Sequence, residues 1–183
     1  MNPSPNLFLI GPMGAGKSSI GRRLAERFGL PCIDLDAAIE QRTGASVATI
    51  FEIEGEAGFR RRESELLAEL TARTGIVLAT GGGAVLPVEN RALLRRRGFV
   101  VWLQASVEQQ MQRLSRDRQR PLLNAPDRRK RLEELACERD PVYAELADCS
   151  IGSNGESCEH AAVHIAALLE QHWQRTPATK ENA

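Results

Sequence analysis

Aromatic side chains make up only 4 % of the 183 residues, the net charge is zero, and no long apolar run occurs. Each shortage excludes something. Lys and Arg total 24 against 24 Asp and Glu, which argues against a protein held to nucleic acid or an anionic membrane by its overall charge. No apolar stretch reaches the ~18 residues that a bilayer-spanning helix needs. The opening MNPSPNLFLIG has neither a basic region nor a long apolar core, so no secretory leader is expected. Four cysteines, Cys32, Cys137, Cys149 and Cys158, show no CxxC spacing and read as free thiols of a reducing compartment. Cys158, His160 and His164 lie near one another in sequence, but the histidines read as the polar margin of an amphipathic helix rather than as metal ligands. Lysine is scarce too, with Lys17, Lys130 and Lys180 against 21 arginines.

What remains is an ordinary globular composition, 42 % apolar and 26 % charged. A chain of this length fits one domain and buries roughly 70 % of its unfolded surface, enough to fold without staples. The expected domain spans 1–175, with a frayed tail at 176–183. Short apolar runs at 7–10, 32–34, 76–79, 99–103 and 149–151 read as strands. Between them, helical spacing marks Ile20, Leu24, Ala25 and Phe28, two stretches near 45–53 and 56–72, and further helices near 89–97, 107–114, 127–138 and 161–169. Phe59, Leu66, Leu67 and Leu70 mark the inner face of the second stretch, and Ser106 with Gln109 forms a capping box. Residues 116–127, polar and carrying Pro121 and Pro126, read as a loop. Alternating strands and helices argue for an α/β fold, a parallel sheet covered on both faces.

Gly11-Pro12-Met13-Gly14-Ala15-Gly16-Lys17-Ser18 fits GxxxxGK[ST] at every fixed position, after a strand and at the start of a helix. Glycines let successive N–H groups curl round phosphate oxygens, and the helix N-terminus adds positive potential. Lys17 then reaches the β- and γ-phosphates and Ser18 ligates Mg²⁺. Gly14, Ala15, Gly16, Lys17, Ser18 and Ser19 form the expected ATP-binding set. Such a loop serves small-molecule kinases, GTPase switches and motor ATPases alike. No guanine-reading NKxD occurs, and strand 76–79 runs into Thr80 and glycines instead of an acidic residue. Asp34-Leu35-Asp36, at the end of the second strand, is the obvious source of a metal-side carboxylate.

Other polar clusters leave alternatives open. Arg60, Arg61 and Arg62 beside Glu63 and Glu65 read alone as a solvated helix face. Asp34 and Asp36 suit a helix N-cap as well as a site. Arg139-Asp140 suits a surface pair. Arg113, Arg116, Arg118, Arg120, Arg128, Arg129, Lys130 and Arg131 lack the interleaved aromatics of a nucleic-acid platform. They suit a lid over about 113–127 that brings arginine to a triphosphate.

In their order and separations, GPMGAGKSSIGRRLA, DLD at 34–36, GFRRRESE at 58–65, the glycines 81–83, RPLL at 120–123 and ERDPVY at 138–143 resemble the shikimate kinase family over most of the chain. The resemblance implies a three-layer α/β/α fold of nucleoside-monophosphate-kinase type with a five-stranded parallel sheet. It implies transfer of the ATP γ-phosphate to the 3-hydroxyl of shikimate in chorismate and aromatic amino-acid biosynthesis, with Mg²⁺, in a cytoplasmic monomer that binds neither nucleic acid nor membrane. By the same resemblance Arg60 and Arg139 hold the substrate carboxylate, Gly82 donates its N–H, and Asp36 binds ring hydroxyls and takes the proton. Asp34 stands near the metal through water, and Arg120 points at the phosphates. The family's arginine near the last strand is absent from Gly152-Ser153-Asn154-Gly155-Glu156, leaving Asn154 to reach the base. The rival readings are another small-acceptor kinase, such as gluconate kinase, and a non-catalytic ligand-binding regulatory module.

Overall fold

The computed structural model describes residues 4–115, 127–152 and 158–175. Five strands, β1 (Leu7–Ile10), β2 (Cys32–Asp34), β3 (Val77–Ala79), β4 (Phe99–Gln104) and β5 (Cys149–Gly152), form one sheet in the order β2-β3-β1-β4-β5. All four pairings are parallel. The continuous apolar run of β1 follows from its central place, because both of its faces are covered. Leu7 and Leu9 point to one side, packing with Leu24 of α1 (Lys17–Phe28) and Ile165 and Leu169 of α7 (Cys158–His172). Phe8 and Ile10 point to the other side, toward α3 (Val47–Thr71), α4 (Val88–Arg97) and α6 (Arg128–Leu146). The expected three-layer α/β/α architecture is therefore present.

Two helices differ from expectation. Residues 35–43 form a short helix, α2 (Leu35–Thr43), absent from the sequence reading. Asp34 caps it by accepting from Ala37 N at 3.1 Å, and Leu35 and Ile39, one turn apart, are its buried residues. Helix α6 runs on to Leu146 instead of ending near 138, with Pro141 inside it. A proline costs a helix one hydrogen bond and a steric adjustment. Here the burial of Arg139, Tyr143 and Leu146 along the continuation outweighs that cost.

The two stretches expected near 45–53 and 56–72 are there, as halves of α3 separated at Gly55, whose φ of 69° is left-handed. Arg62 Nη2 bonds Glu54 across the break at 2.7 Å, and the rings of Phe51 and Phe59 pack 4.8 Å apart. Helix α5 (Val107–Arg113) opens with the expected Ser106–Gln109 capping box. The four cysteines are unpaired, and no helix among the described residues is long and apolar enough to cross a membrane.

At the N-terminal edge of the sheet Asn6 ties three segments together. Its amide donates to Arg73 O at 2.8 Å and Arg97 O at 3.0 Å, and its side-chain oxygen accepts from Ile76 N at 3.1 Å. Beside it Ser4 Oγ donates to Arg97 O at 3.0 Å. Asn6→Ala leaves these groups unpaired, a loss of about 2–4 kcal/mol. For a chain of this size that lowers Tm by about 5–15 °C, and a calorimetric shift under 2 °C would contradict the assignment.

Candidate functional site

The C-terminal ends of the central strands open into one cleft of ≈ 570 Å³. Its phosphate half is the loop between β1 and α1. Gly11, Gly14 and Gly16 hold φ of 136°, 77° and 87°, values that L side chains rarely adopt. A Cβ on Gly11 would also overlap the Leu103 carbonyl oxygen. Helix α1 starts from Gly16 with no side-chain cap, whereas Asp34, Ser46, Ser106 and Asp127 cap α2, α3, α5 and α6. Gly16, Lys17, Ser18 and Ser19 at this helix start all line the cleft, where main-chain N–H groups suit an anion. Lys17, 8 % exposed, donates to Gly11 O and Pro12 O at 2.8 Å each. Arg113, at the end of α5, donates to Gly14 O at 2.8 Å.

Ser18 Oγ donates to Asp34 Oδ2, so the hydroxyl and the carboxylate expected around a metal are adjacent. This pair of oxygens fits Mg²⁺, a hard cation that is commonly held by one or two protein ligands together with waters and substrate phosphates. Asp36 falls in the first turn of α2 rather than at a strand end, and it lines the same cleft.

The acceptor half is built on Glu63. This carboxylate has no exposed surface, and its Oε2 accepts from Arg60 Nη1 at 2.6 Å. Burial pushes its carboxyl up from the usual range, against the pull of the Arg60 guanidinium. A carboxylate cut off from water loses more solvation than a single pair returns. Arg60 also donates to Glu56 at 3.1 Å. Both members of the pair lie against the glycine loop. A Cβ on Gly81 would overlap Glu63 Oε1, and one on Gly83 would overlap the Arg60 guanidinium. Gly82 is roomier, with Arg139 Nη1 3.5 Å and Gly11 O 3.6 Å from the position of such a Cβ. The glycine loop thus adjoins the phosphate loop. Arg139 is 4 % exposed. The Nε atoms of Arg60 and Arg139 and the Oε1 of Glu63 are buried without a hydrogen-bond partner among the described residues.

Gly14, Gly16, Lys17, Ser18, Ser19, Asp34, Asp36, Arg60, Gly82 and Arg139 all line this one cleft. Ala15 is the exception. Its side chain packs into the core, leaving only its main chain to serve a phosphate. Arg116, Arg118, Arg120 and Asn154 lie outside the described residues. Of the arginine run, Arg61 and Arg62 are exposed as a solvated face requires, while Arg60 turns inward. Arg139 is buried rather than exposed, and the carboxylate 3.9 Å from its Nε is that of Glu138, not Asp140.

Glu63 and Tyr143 were not singled out by the sequence, whereas Arg113, expected only as one of several lid arginines, reaches the phosphate loop from the end of α5. For Glu63 a signal existed, because the apolar stripe of Phe59, Leu66, Leu67 and Leu70 passes through position 63 at helical spacing. A charge on the buried stripe of a helix marks a pair or a site.

A parallel sheet whose central strand feeds a phosphate loop, with a second cationic pocket facing that loop, defines a P-loop fold of the nucleoside-monophosphate-kinase type. The family model described as shikimate kinase matches residues 13–170. A shikimate kinase of Stenotrophomonas maltophilia is 54 % identical over 98 % of this chain and 99 % of its own length. One from Vibrio cholerae is 49 % identical over 91 % of this chain and 96 % of its own. Among solved structures, the shikimate kinase from Acinetobacter baumannii in complex with shikimate superposes with a TM-score of 0.90 at 46 % identity, covering 93 % of this chain and 95 % of that one. The chain belongs to the shikimate kinase family.

Removing the carboxylate in Glu63→Ala leaves two guanidinium groups in the pocket without their buried counter-charge. A loss of about 3 kcal/mol is expected, with Glu63→Gln retaining part of it through its amide oxygen. Denaturant unfolding with Glu63→Ala as stable as the parent would show that the pair does not hold Arg60.

Proposed function

We propose that the protein is an ATP- and Mg²⁺-dependent shikimate kinase, forming shikimate 3-phosphate and ADP. The observation that carries this reading is the meeting in one cleft of a glycine-rich phosphate loop and two guanidinium groups, Arg60 and Arg139, each with a buried Nε that has no hydrogen-bond partner among the described residues. Shikimate is a small ring with one carboxylate and three hydroxyls, and arginine forks suit such a carboxylate.

Each side chain then has a task. Arg60 and Arg139 bind the carboxylate and the loop at Gly82 supplies main-chain donors. Asp36 accepts hydrogen bonds from ring hydroxyls and takes the proton of the 3-hydroxyl. That oxygen forms a bond to the γ-phosphorus, the bond from phosphorus to the β,γ-bridging oxygen breaks, and ADP departs. Lys17 and the N–H groups of 14–19 hold the phosphates. Ser18, with Asp34 through water, would hold Mg²⁺, which when bound neutralises charge on the β- and γ-phosphates. The RP pair of the family motif assigns Arg120 to the same phosphates, from a lid over about 113–127. A single domain over 1–175, a monomer and a cytoplasmic setting complete the reading, supported by the balanced charge and the free thiols.

Coupled ADP release tests the acceptor. Turnover is expected only with shikimate, ATP and Mg²⁺ together, and gluconate in place of shikimate should give none. ATP hydrolysis at the same rate with and without shikimate would overturn the assignment.

Arg139→Ala should raise the shikimate KM by roughly 10- to 100-fold, the equivalent of about 1.5–3 kcal/mol for a charge-assisted contact. The ATP KM should stay within about twofold, because the phosphate loop is untouched. Equal rises for both substrates would remove Arg139 from the carboxylate site.

A further inference from the structure

Three consecutive glycines are the least rigid backbone a chain can offer. Loop 81–83 nevertheless forms the floor of the acceptor pocket. Its carbonyls are all engaged. Gly81 O accepts from Ala84 N at 3.2 Å and Gly83 O from Leu86 N at 3.0 Å, both local turns. The middle carbonyl, Gly82 O, accepts from the hydroxyl of Tyr143, 61 residues away on α6. What the loop has left to offer a ligand is N–H.

Tyr143 suits a fixed anchor. It has no exposed surface, and its ring packs on Trp102 at 5.8 Å between centroids. Burial raises the hydroxyl well beyond its ordinary range, against the pull of the Arg139 guanidinium that also bonds it, so it stays protonated and able to donate. Arg139 lies one helical turn earlier on the same face of α6, with its guanidinium against Gly82. A peptide unit is planar, so fixing Gly82 C=O also fixes the Gly83 N–H on the opposite side. Gly83 is in turn the surface on which the Arg60 guanidinium lies.

We propose that Tyr143 is a positioning residue for the acceptor site. Its hydroxyl locks the Gly82–Gly83 peptide, and through it sets the loop's donors and the seat of Arg60. The inference rests on the shikimate kinase reading for the identity of the acceptor, but not for the tether itself.

Tyr143→Phe tests it, because phenylalanine keeps the ring, its stacking on Trp102 and the core volume. The expected result is a shikimate KM raised roughly tenfold, as for loss of one well-made hydrogen bond, with the ATP KM within about twofold of the parent. KM values do not depend on the folded fraction of a preparation, so a merely structural defect would leave this ratio unmoved. In ¹⁵N-glycine-labelled protein without ligands, the Gly82 and Gly83 amide signals should shift while those of Gly14 and Gly16 stay in place. A shikimate KM within twofold of the parent, or equal rises for both substrates, would overturn the positioning role. Unmoved Gly82 and Gly83 signals would overturn the tether. A parent protein with no shikimate-dependent turnover would instead overturn the kinase reading, and the acceptor-site role with it, while the amide signals still report on the tether.

Discussion

Glu63 gives up all contact with solvent to bond Arg60 at 2.6 Å, and the acceptor half of the cleft takes its shape from that pair. Burying an ion pair is a poor way to gain stability, because the desolvation of both charges offsets most of their attraction. The pair fixes a position instead. With Glu63 held on the inner stripe of α3, the Arg60 guanidinium lies flat on the glycine loop. Only a loop without side chains at 81 and 83 lets the two come that close. The charged helix residues and the glycines after β3 are therefore one construction, although the end of α3 and the whole of β3 separate them in sequence. Its cost is carried by the apolar cluster behind it, where Phe59, Leu66, Leu67 and Leu78 are almost fully buried.

The two halves of the cleft receive negative charge by different means. The phosphate half relies on main-chain N–H groups, made available by left-handed glycines and an uncapped helix, with Lys17 folded onto the carbonyls of its own loop. Main-chain donors are numerous and shape themselves to an oxygen-rich group. The acceptor half relies on guanidinium forks, whose planar geometry selects a carboxylate in one orientation. The glycine loop is where these designs meet, with Gly82 between Arg139 and the main chain of Gly11 and Met13.

The strands, the phosphate loop and most helices were legible because each rests on local chemistry, such as apolar period, glycine, proline and caps. The break at Gly55 was legible for the same reason, as a gap between two periodic stretches. Helix α6 continues past the expected end near 138, because the tertiary burial of Arg139, Tyr143 and Leu146 outweighs the local penalty of Pro141. Helix α2 was missed because its apolar face is only Leu35 and Ile39. In the site, the residues of the phosphate loop follow from spacing alone. Arg60 does not, since nothing in Arg60-Arg61-Arg62 tells the inward residue from its neighbours, and only the family pattern picks it out. Glu63 and Tyr143 act on groups distant in sequence, and such pairings are written in the fold rather than in any window of the chain.

The sheet has a division of labour along its strands. Asn6, Ser4 and the carbonyls of Arg73 and Arg97 knot the N-terminal edge, whereas the described residues assigned to chemistry sit at or beyond the C-terminal edge. Between the two ends run the buried central strands β1, β3 and β4 and the helices packed on them. Mutation can thus strengthen or loosen the knot without moving a ligand-facing atom, and a lineage can adapt this enzyme to a hotter or colder habitat at one end of the sheet while the chemistry at the other stays under separate selection.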